Sequence, residues 1–183
     1  MRAFVAVEVP ASVKDKVEDL ECGIDFSGMV FVKREAMHLT LLFLGEVSEE
    51  DAVKAKSALS EVSFLPFTIS LKGVSYFSPD FIKVVFVEVR EGAAELMDLR
   101  KRVCDAMSGK GIGIKQEDFT PHLTVARVKR VKDRQVLIGA LVERAQTEFG
   151  SFEVNSIILK KSVLGEKGPV YTDLLELRAG ARA

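Results

Sequence analysis

The residues with the clearest chemical potential in this chain are its two histidines, which occur in the same short motif. His38 and His122 are the only histidines among 183 residues, and each is followed by Leu and then Thr. In a β-strand, residues i and i+2 point to the same face, about 6.6 Å apart along the strand. Each motif would therefore place an imidazole and a hydroxyl side by side, with Leu39 or Leu123 facing the core behind them.

Two such surfaces facing each other suit in-line displacement at phosphorus. A neutral histidine removes a proton from the attacking water or hydroxyl, and a protonated histidine donates one to the leaving oxygen. Histidine serves both purposes because its ordinary pKa, about 6.5, is close to working pH. The hydroxyls of Thr40 and Thr124 can hydrogen-bond the non-bridging oxygens as negative charge develops on them. This chemistry needs no metal, and we predict neither a metal nor a cofactor.

The alternative is that both motifs are ordinary strand residues, because threonine is common in strands. With six threonines in the chain, chance places Thr two residues after both histidines in roughly one case in a thousand. The doubled motif therefore favours a catalytic pair over a structural one.

The elements that position these motifs follow from hydrophobic patterning and turn residues. We predict strands over 2–9, 30–33, 37–44, 66–75, 81–89, 121–128, 151–163 and 170–177. We predict helices from Ser12 as the N-cap to about 22, from Ser48 to about 62, over 92–108, and from 133 to about 145.

This order of elements predicts an α+β fold. The strands 66–75 and 81–89, joined by a turn at 78–80, should form a hairpin, as should 151–163 and 170–177. Such hairpins indicate antiparallel or mixed sheets rather than a doubly wound parallel sheet. No linker divides the chain, so we expect residues 1–183 to form one domain with two lobes. The repeated motif suggests a pseudo-two-fold axis that brings the two histidines face to face.

These residues resemble the 2H phosphoesterases, a family named for two H-x-[ST]-x motifs, and within it the RNA 2′,3′-cyclic phosphodiesterase or 2′-5′ RNA ligase (LigT/ThpR-like) branch. Four segments carry the resemblance over nearly the whole chain, in this order: 2–7 (RAFVAV), 38–45 (HLTLLFLG), 119–127 (FTPHLTVAR), and 162–164 (SVL) followed by 168–171 (GPVY).

The resemblance implies a bilobal fold, with two sheets facing each other across a central cleft and helices outside. It also implies metal-independent opening of an RNA 2′,3′-cyclic phosphate end to a 2′-phosphate, and in some members ATP-independent formation or cleavage of 2′-5′ linkages. By analogy, His38 is the general acid for the leaving 3′ oxygen and His122 the general base for water. The same chemistry could act on 2′-5′ oligonucleotides or small cyclic nucleotides.

Two further residues are substrate-binding candidates through the same resemblance, and Tyr171 is a separate candidate. Phe43 and Arg127 each lie five residues after their histidine, and the family pattern suggests stacking on the terminal base and contact with the phosphate, respectively. Strict strand alternation would put both on the opposite face from the histidines, so a bulge or twist is required. Phe43 could otherwise be a core aromatic residue. Tyr171 could contact substrate or cover the core at a lobe edge.

Charge and composition exclude several other classes. The chain carries 26 Lys and Arg against 27 Asp and Glu, which argues against a protein that coats nucleic acid non-specifically. A local basic strip over 127–134 could still guide an RNA backbone, or it could be a solvated loop. No apolar run reaches the roughly 18 residues that span a bilayer, so we expect no membrane partner.

Cys22 and Cys104 are far apart in sequence and resemble buried small hydrophobic residues of a reducing cytoplasm. We expect a cytoplasmic monomer. The second class of function is a non-catalytic module that holds a nucleotide or RNA end in the same cleft. The intact state of both motifs favours the enzyme.

Overall fold

A computed structural model describes residues 1–24, 26–78, 81–115, 118–165 and 168–180. The strands are β1 (Arg2–Glu8), β2 (Met29–Phe31), β3 (His38–Glu46), β4 (Phe67–Phe77), β5 (Val84–Glu91), β6 (His122–Val128), β7 (Glu148–Val154), β8 (Ser156–Gly165) and β9 (Gly168–Arg178). The helices are α1 (Ala11–Glu21), α2 (Glu49–Ser60), α3 (Ala93–Gly109) and α4 (Arg134–Val142), and one short 3₁₀ turn covers Arg34–Ala36.

The strands form two antiparallel sheets. The first has four strands in the order β3-β1-β8-β9, and the second has five in the order β2-β6-β5-β4-β7. Every pairing between neighbouring strands is antiparallel. The predicted α+β class and the hairpin of β4 with β5 are therefore confirmed. Strands β3 and β6, which begin at the two histidines, contact each other where the sheets meet.

One predicted hairpin is wrong in part. The sequence pattern over 151–163 indicates one continuous strand, but the chain leaves the second sheet after Val154 and enters the first sheet at Ser156. Strand β7 pairs with β4, whereas β8 pairs with β9 as expected. Asn155 stands between them, and its carbonyl accepts a hydrogen bond from the amide of Ala179. A run of β-forming residues does not reveal that a strand changes sheets, because each sheet pairing looks the same locally.

The helices pack their apolar faces on the sheets and on each other. Helix α1 lies against β7 and α4 against β4, while α3 contacts β3 of the first sheet and β5 of the second. Ser48 caps α2 by accepting a hydrogen bond from the amide of Asp51, as predicted. Ser12 does not cap α1: the helix already begins at Ala11, and the amides of Val13 and Lys14 donate to the carbonyl of Pro10. The described apolar side chains of both sheets form one continuous core.

The two cysteines are free thiols, and the expectation that both are buried is wrong. Cys22 is exposed and Cys104 is half-buried. Cys22 follows the last residue of α1, where the helix ends at the surface. None of the described helices is both long enough and apolar enough to cross a membrane. Part of the predicted turn at 78–80 (residues 79 and 80) and the end of the predicted domain (181–183) lie outside the described residues.

Candidate active site

The two motif strands have the same register against one neighbouring strand each, although β3 is at the edge of the first sheet and β6 lies between β2 and β5 in the second. In the first sheet β3 pairs with β1, so that His38 lies opposite Glu8. In the second sheet β6 pairs with β5, so that His122 lies opposite Glu88. The two threonines take equivalent positions, since Thr40 and Thr124 each pair with the second residue before the glutamate on the neighbouring strand. The repeat seen in the sequence is therefore a repeat of strand register as well.

Each motif strand contains a β-bulge at the same point after its histidine. The register shifts between Thr40 and Leu42 on β3, and between Thr124 and Ala126 on β6. Because of the extra residue, two successive side chains are buried at each place, and alternation is reversed beyond it.

Phe43 and Arg127 are the residues that this reversal returns to the face of the histidines. Both side chains are exposed, and 64% of Phe43 is accessible. The bulge that the sequence requires is thus present in both strands, and Phe43 is not a core aromatic residue. The bulge in each strand turns the fifth residue after the histidine toward the same space as the histidine itself.

A cleft of about 1010 Å³ brings these side chains together. Both histidines and both threonines of the motifs line it, together with Phe43 and Arg127. Its wall also includes residues from α3 and from the segment before β6: Arg100, Gly113, Lys115, Asp118, Phe119 and Thr120. A cavity of this size accommodates a nucleotide.

His38 sits in an aromatic setting on the first sheet. Its ring stacks on Phe4 with centroids 4.8 Å apart, and Tyr171 meets it edge-on at 5.4 Å. Burial lowers the pKa of His38 to about 4, with Glu8 opposing this shift and Lys160 adding to it. The imidazole is therefore neutral at pH 7 in the free protein. Tyr171 also meets the ring of Phe4 edge-on at 5.3 Å, so it contacts both rings of this aromatic group.

His122 is held by a backbone hydrogen bond. Its Nδ1 lies 2.7 Å from the carbonyl oxygen of Thr120, and because a carbonyl only accepts, Nδ1 carries the proton in the neutral ring. Nε2 is then the free acceptor, as a general base requires. Burial lowers the pKa of His122, the bond to Thr120 opposes this shift, and the charge of Arg127 adds to it. The rings of Phe77 and Phe86 lie 4.9 Å and 5.2 Å from the imidazole.

A buried lysine stands next to the first histidine. Lys160 is only 8% exposed, and its Nζ lies 2.6 Å from a carboxylate oxygen of Glu8 and 2.6 Å from one of Asp173. Burial opposes its charge, but these two carboxylates outweigh that effect and raise the pKa of Lys160. The ammonium therefore neutralises Glu8, the residue opposite His38 on the neighbouring strand.

Arg100 is a site residue that the sequence did not single out. Its Nε donates to the carbonyl of Leu41 at 3.1 Å, within the bulge of β3. Its guanidinium carbon also lies 4.8 Å from the ring centroid of Phe119, in the segment that leads to His122. Arg100 thus connects the two motifs. The signal available in the sequence was the spacing: Arg100 lies four residues after Leu96 and three before Val103, on the apolar side of α3.

The side chains around the two histidines differ from those of a metal site. Within the described ranges, no three His, Cys, Asp or Glu side chains come together in a group that could hold a metal ion. The two imidazoles instead meet hydroxyl, aromatic and guanidinium groups in the cleft. This arrangement can transfer protons and stabilise an anion.

The sequence of this chain is similar to those of known phosphodiesterases. The 2′-5′ RNA ligase superfamily matches residues 9–165. An RNA 2′,3′-cyclic phosphodiesterase of Archaeoglobus fulgidus is 42% identical over 178 residues, covering 95% of this chain and 98% of that protein. One from Aeropyrum pernix is 39% identical, covering 84% and 88%.

Solved structures show the same fold. A Thermus thermophilus protein superposes with a TM-score of 0.78 at 29% identity, over 97% of both chains. E. coli LigT complexed with 3′-AMP superposes with a TM-score of 0.80 at 21% identity, over 98% of both chains.

Proposed function

This chain belongs to the 2′-5′ RNA ligase superfamily, and from that premise we propose that it is a phosphodiesterase acting on RNA 2′,3′-cyclic phosphate ends. The observation that carries the proposal is the cleft lined by both His-x-Thr motifs, with the aromatic ring of Phe43 and the exposed guanidinium of Arg127 beside them. The curated relatives named RNA 2′,3′-cyclic phosphodiesterase support the same substrate.

The proposed reaction uses one histidine on each side of the phosphorus. His122, with its proton on Nδ1, accepts a proton from water through Nε2. The hydroxide forms a bond to phosphorus, and the bond from phosphorus to the 3′ oxygen breaks. His38 donates a proton to that oxygen, which leaves a free 3′-hydroxyl and a 2′-phosphate. The proton on His122 then returns to His38 through solvent, and the enzyme is ready for another turnover.

Binding of the anionic phosphate favours the protonated form of His38, which the general acid requires. In the free protein His38 is neutral because burial disfavours its charge. A phosphate that enters the cleft brings a negative charge next to the imidazole, and this raises the pKa of His38 toward the working range of an acid. Substrate binding and protonation of His38 are thereby coupled.

The remaining side chains bind and orient the substrate. Thr40 and Thr124 donate hydroxyl hydrogen bonds to the non-bridging oxygens, and Arg127 approaches the phosphate as a cation. Phe43 stacks on the terminal base, which its 64% exposure permits. Tyr171 packs edge-on against His38 and supports the position of the imidazole ring.

The same site is suited to a related transfer. When a ribose 5′-hydroxyl replaces water as the nucleophile, His122 accepts its proton, His38 protonates the leaving 3′ oxygen, and a 2′-5′ linkage forms without ATP. In the reverse direction the 3′-hydroxyl attacks, the 5′ oxygen leaves, the two histidines exchange roles, and the linkage is broken. We also propose that residues 1–183 act as one domain and one monomer in the cytoplasm, as the sequence predicts.

The test uses a short RNA that ends in a 2′,3′-cyclic phosphate, incubated with excess EDTA. We expect the wild-type protein to convert it to the 2′-phosphate, and His38→Ala and His122→Ala each to lower kcat by about 100- to 10,000-fold. The product end is identified by mass spectrometry and by its sensitivity to phosphatase. A 3′-phosphate product would refute the assigned roles, and no turnover by wild type would refute the proposed function.

A further inference from the structure

A set of cations beside the cleft has no acidic partner among the residues that the structure describes. Elsewhere in the described ranges many cations have a carboxylate oxygen within 4.0 Å, as Lys54, Lys72 and Lys101 do. In those same ranges, four cations that follow the second motif have no such partner. They are Arg127, Lys129, Arg130 and Lys132, which we call the basic segment.

The backbone of the basic segment is held in place. The amide of Lys129 donates to the carbonyl of Gly28 at 2.9 Å, and the amide of Val128 donates to the carbonyl of Lys83 at 2.9 Å. Gly28 has a φ of 93°, and a Cβ there would lie 1.7 Å from the carbonyl oxygen of Arg130. This close approach fits only glycine. The segment is therefore pre-organised against its neighbours.

The side chains of the segment divide between the core and the solvent. Val128 and Val131 pack against the core, whereas Lys129, Arg130 and Lys132 are exposed. This division keeps the cations outward on a fixed backbone.

The carboxylate next to the segment is already engaged. Asp133 caps α4, and its Oδ1 accepts hydrogen bonds from the amides of Gln135 at 3.0 Å and Val136 at 3.1 Å. Its negative charge stabilises the start of the helix. As far as the described ranges extend, the positive charge of the segment is left for an external anion.

The segment continues directly from the cleft. Arg127 lines the cleft, and the strand register places it between Val30 and Val84 in one row on the same sheet face. Val30 is 48% exposed there. Lys129 follows two residues later, at the bend where β6 ends, and two residues span at most about 7 Å. A polyanion that starts at the reacting phosphate meets a second cation at about one further phosphate spacing.

We propose that the basic segment binds the RNA strand on the 5′ side of the reactive end, so that the protein prefers a cyclic phosphate on an oligonucleotide to one on a mononucleotide. The inference rests on the proposed function and adds a second binding site to it. An RNA strand fits because fixed, unpaired cations release counterions when they meet successive phosphates, and because exposed apolar surface beside Arg127 can lie under a base.

The experiment compares two substrates and two double variants. The substrates are a 2′,3′-cyclic mononucleotide and an eight-residue RNA with the same nucleotide as its cyclic end. The test variant is Lys129→Gln with Arg130→Gln. The control variant is Lys16→Gln with Lys56→Gln, which removes the same charge from two exposed cations on α1 and α2.

We expect the test variant to raise KM for the RNA and to leave kcat/KM for the mononucleotide unchanged. Each phosphate contact with a single strand contributes about 0.7 to the slope of log affinity against log salt. Loss of two contacts should therefore lower the slope by about 1.4, which corresponds to roughly 25-fold weaker binding at 0.1 M salt when extrapolated from no effect at 1 M. The control variant should bind both substrates as wild type does.

Equal losses on both substrates, or equal losses in the control variant, would overturn the inference. Binding is measured separately by fluorescence anisotropy with a labelled RNA that ends in a 2′-phosphate. If wild type turns over neither substrate, the proposed function fails, and the anisotropy series still decides the inference. An unchanged salt slope in that series refutes strand binding.

Discussion

Replacing His38 by Phe should remove a large acid-dependent loss of stability. Phe preserves the ring that stacks on Phe4 at 4.8 Å and meets Tyr171 at 5.4 Å, but it has no group that titrates. The pKa of His38 is lowered from 6.5 to about 4 by burial. Its contribution is therefore present above pH 6.5 and is lost as the pH falls, because the unfolded chain then binds a proton that the folded protein resists.

The size of the effect follows from the two pKa values. With 6.5 in the unfolded chain and about 4 in the folded protein, linkage costs the folded state about 2 kcal/mol at pH 5 and almost nothing at pH 7. The variant lacks this loss, while its carboxylates titrate as in wild type. The difference in unfolding free energy between the two proteins should therefore move by about 2 kcal/mol in favour of the variant between pH 7 and pH 5.

Urea unfolding at pH 7, 6 and 5 measures this difference directly. Because the chain has only two histidines, the imidazole NMR signals of His122→Gln belong to His38 alone and report its pKa independently. A His38 that titrates near 6.5, or parallel stability curves for wild type and His38→Phe, would refute the reasoning from burial.

Three further substitutions test the surroundings of the two histidines. Lys160→Met removes the charge that neutralises Glu8, so an NMR titration should show the pKa of His38 rising from about 4 toward its ordinary value; an unchanged pKa would mean that the ion pair is only structural. Arg100→Met breaks the link between the bulge of β3 and the segment before His122. We expect kcat to fall about tenfold, and ¹⁵N NMR to show a mixture of His122 tautomers, with a single tautomer as the contrary result. Phe43→Ala should raise KM for a cyclic-phosphate RNA about tenfold through lost stacking, and equal kinetics would exclude base contact.

The sequence predicts the reacting residues better than it predicts the elements and side chains that position them. The two motifs, their strands and the hairpin of β4 and β5 follow from local patterns, because strand period and turn residues are local properties. The exit of the chain from one sheet after Val154 and its entry into the other at Ser156 do not, since nothing local distinguishes the two pairings. Arg100 was missed because its role depends on where α3 packs.

The bulges were only partly predictable from the sequence. Alternation alone would turn Phe43 and Arg127 away from the histidines, and only the need for a bulge could be stated from the sequence. The sequence contains a further repeat in the strands that pair with the two motifs, at residues 4–8 (FVAVE) and 84–88 (VVFVE). Both segments end in the glutamate opposite the histidine.

The matched bulges also bear on the direction in which a substrate can lie. Phe43 and Arg127 occupy equivalent positions in their pairing with β1 and β5, so this pairing does not distinguish the two ends of the cleft. A nucleotide, in contrast, has a flat base at one side of its phosphate and a charged strand at the other. One copy of the position carries an aromatic ring and the other carries a cation. We therefore expect this pair of side chains, rather than the pairing of the strands, to set the direction in which a nucleotide binds.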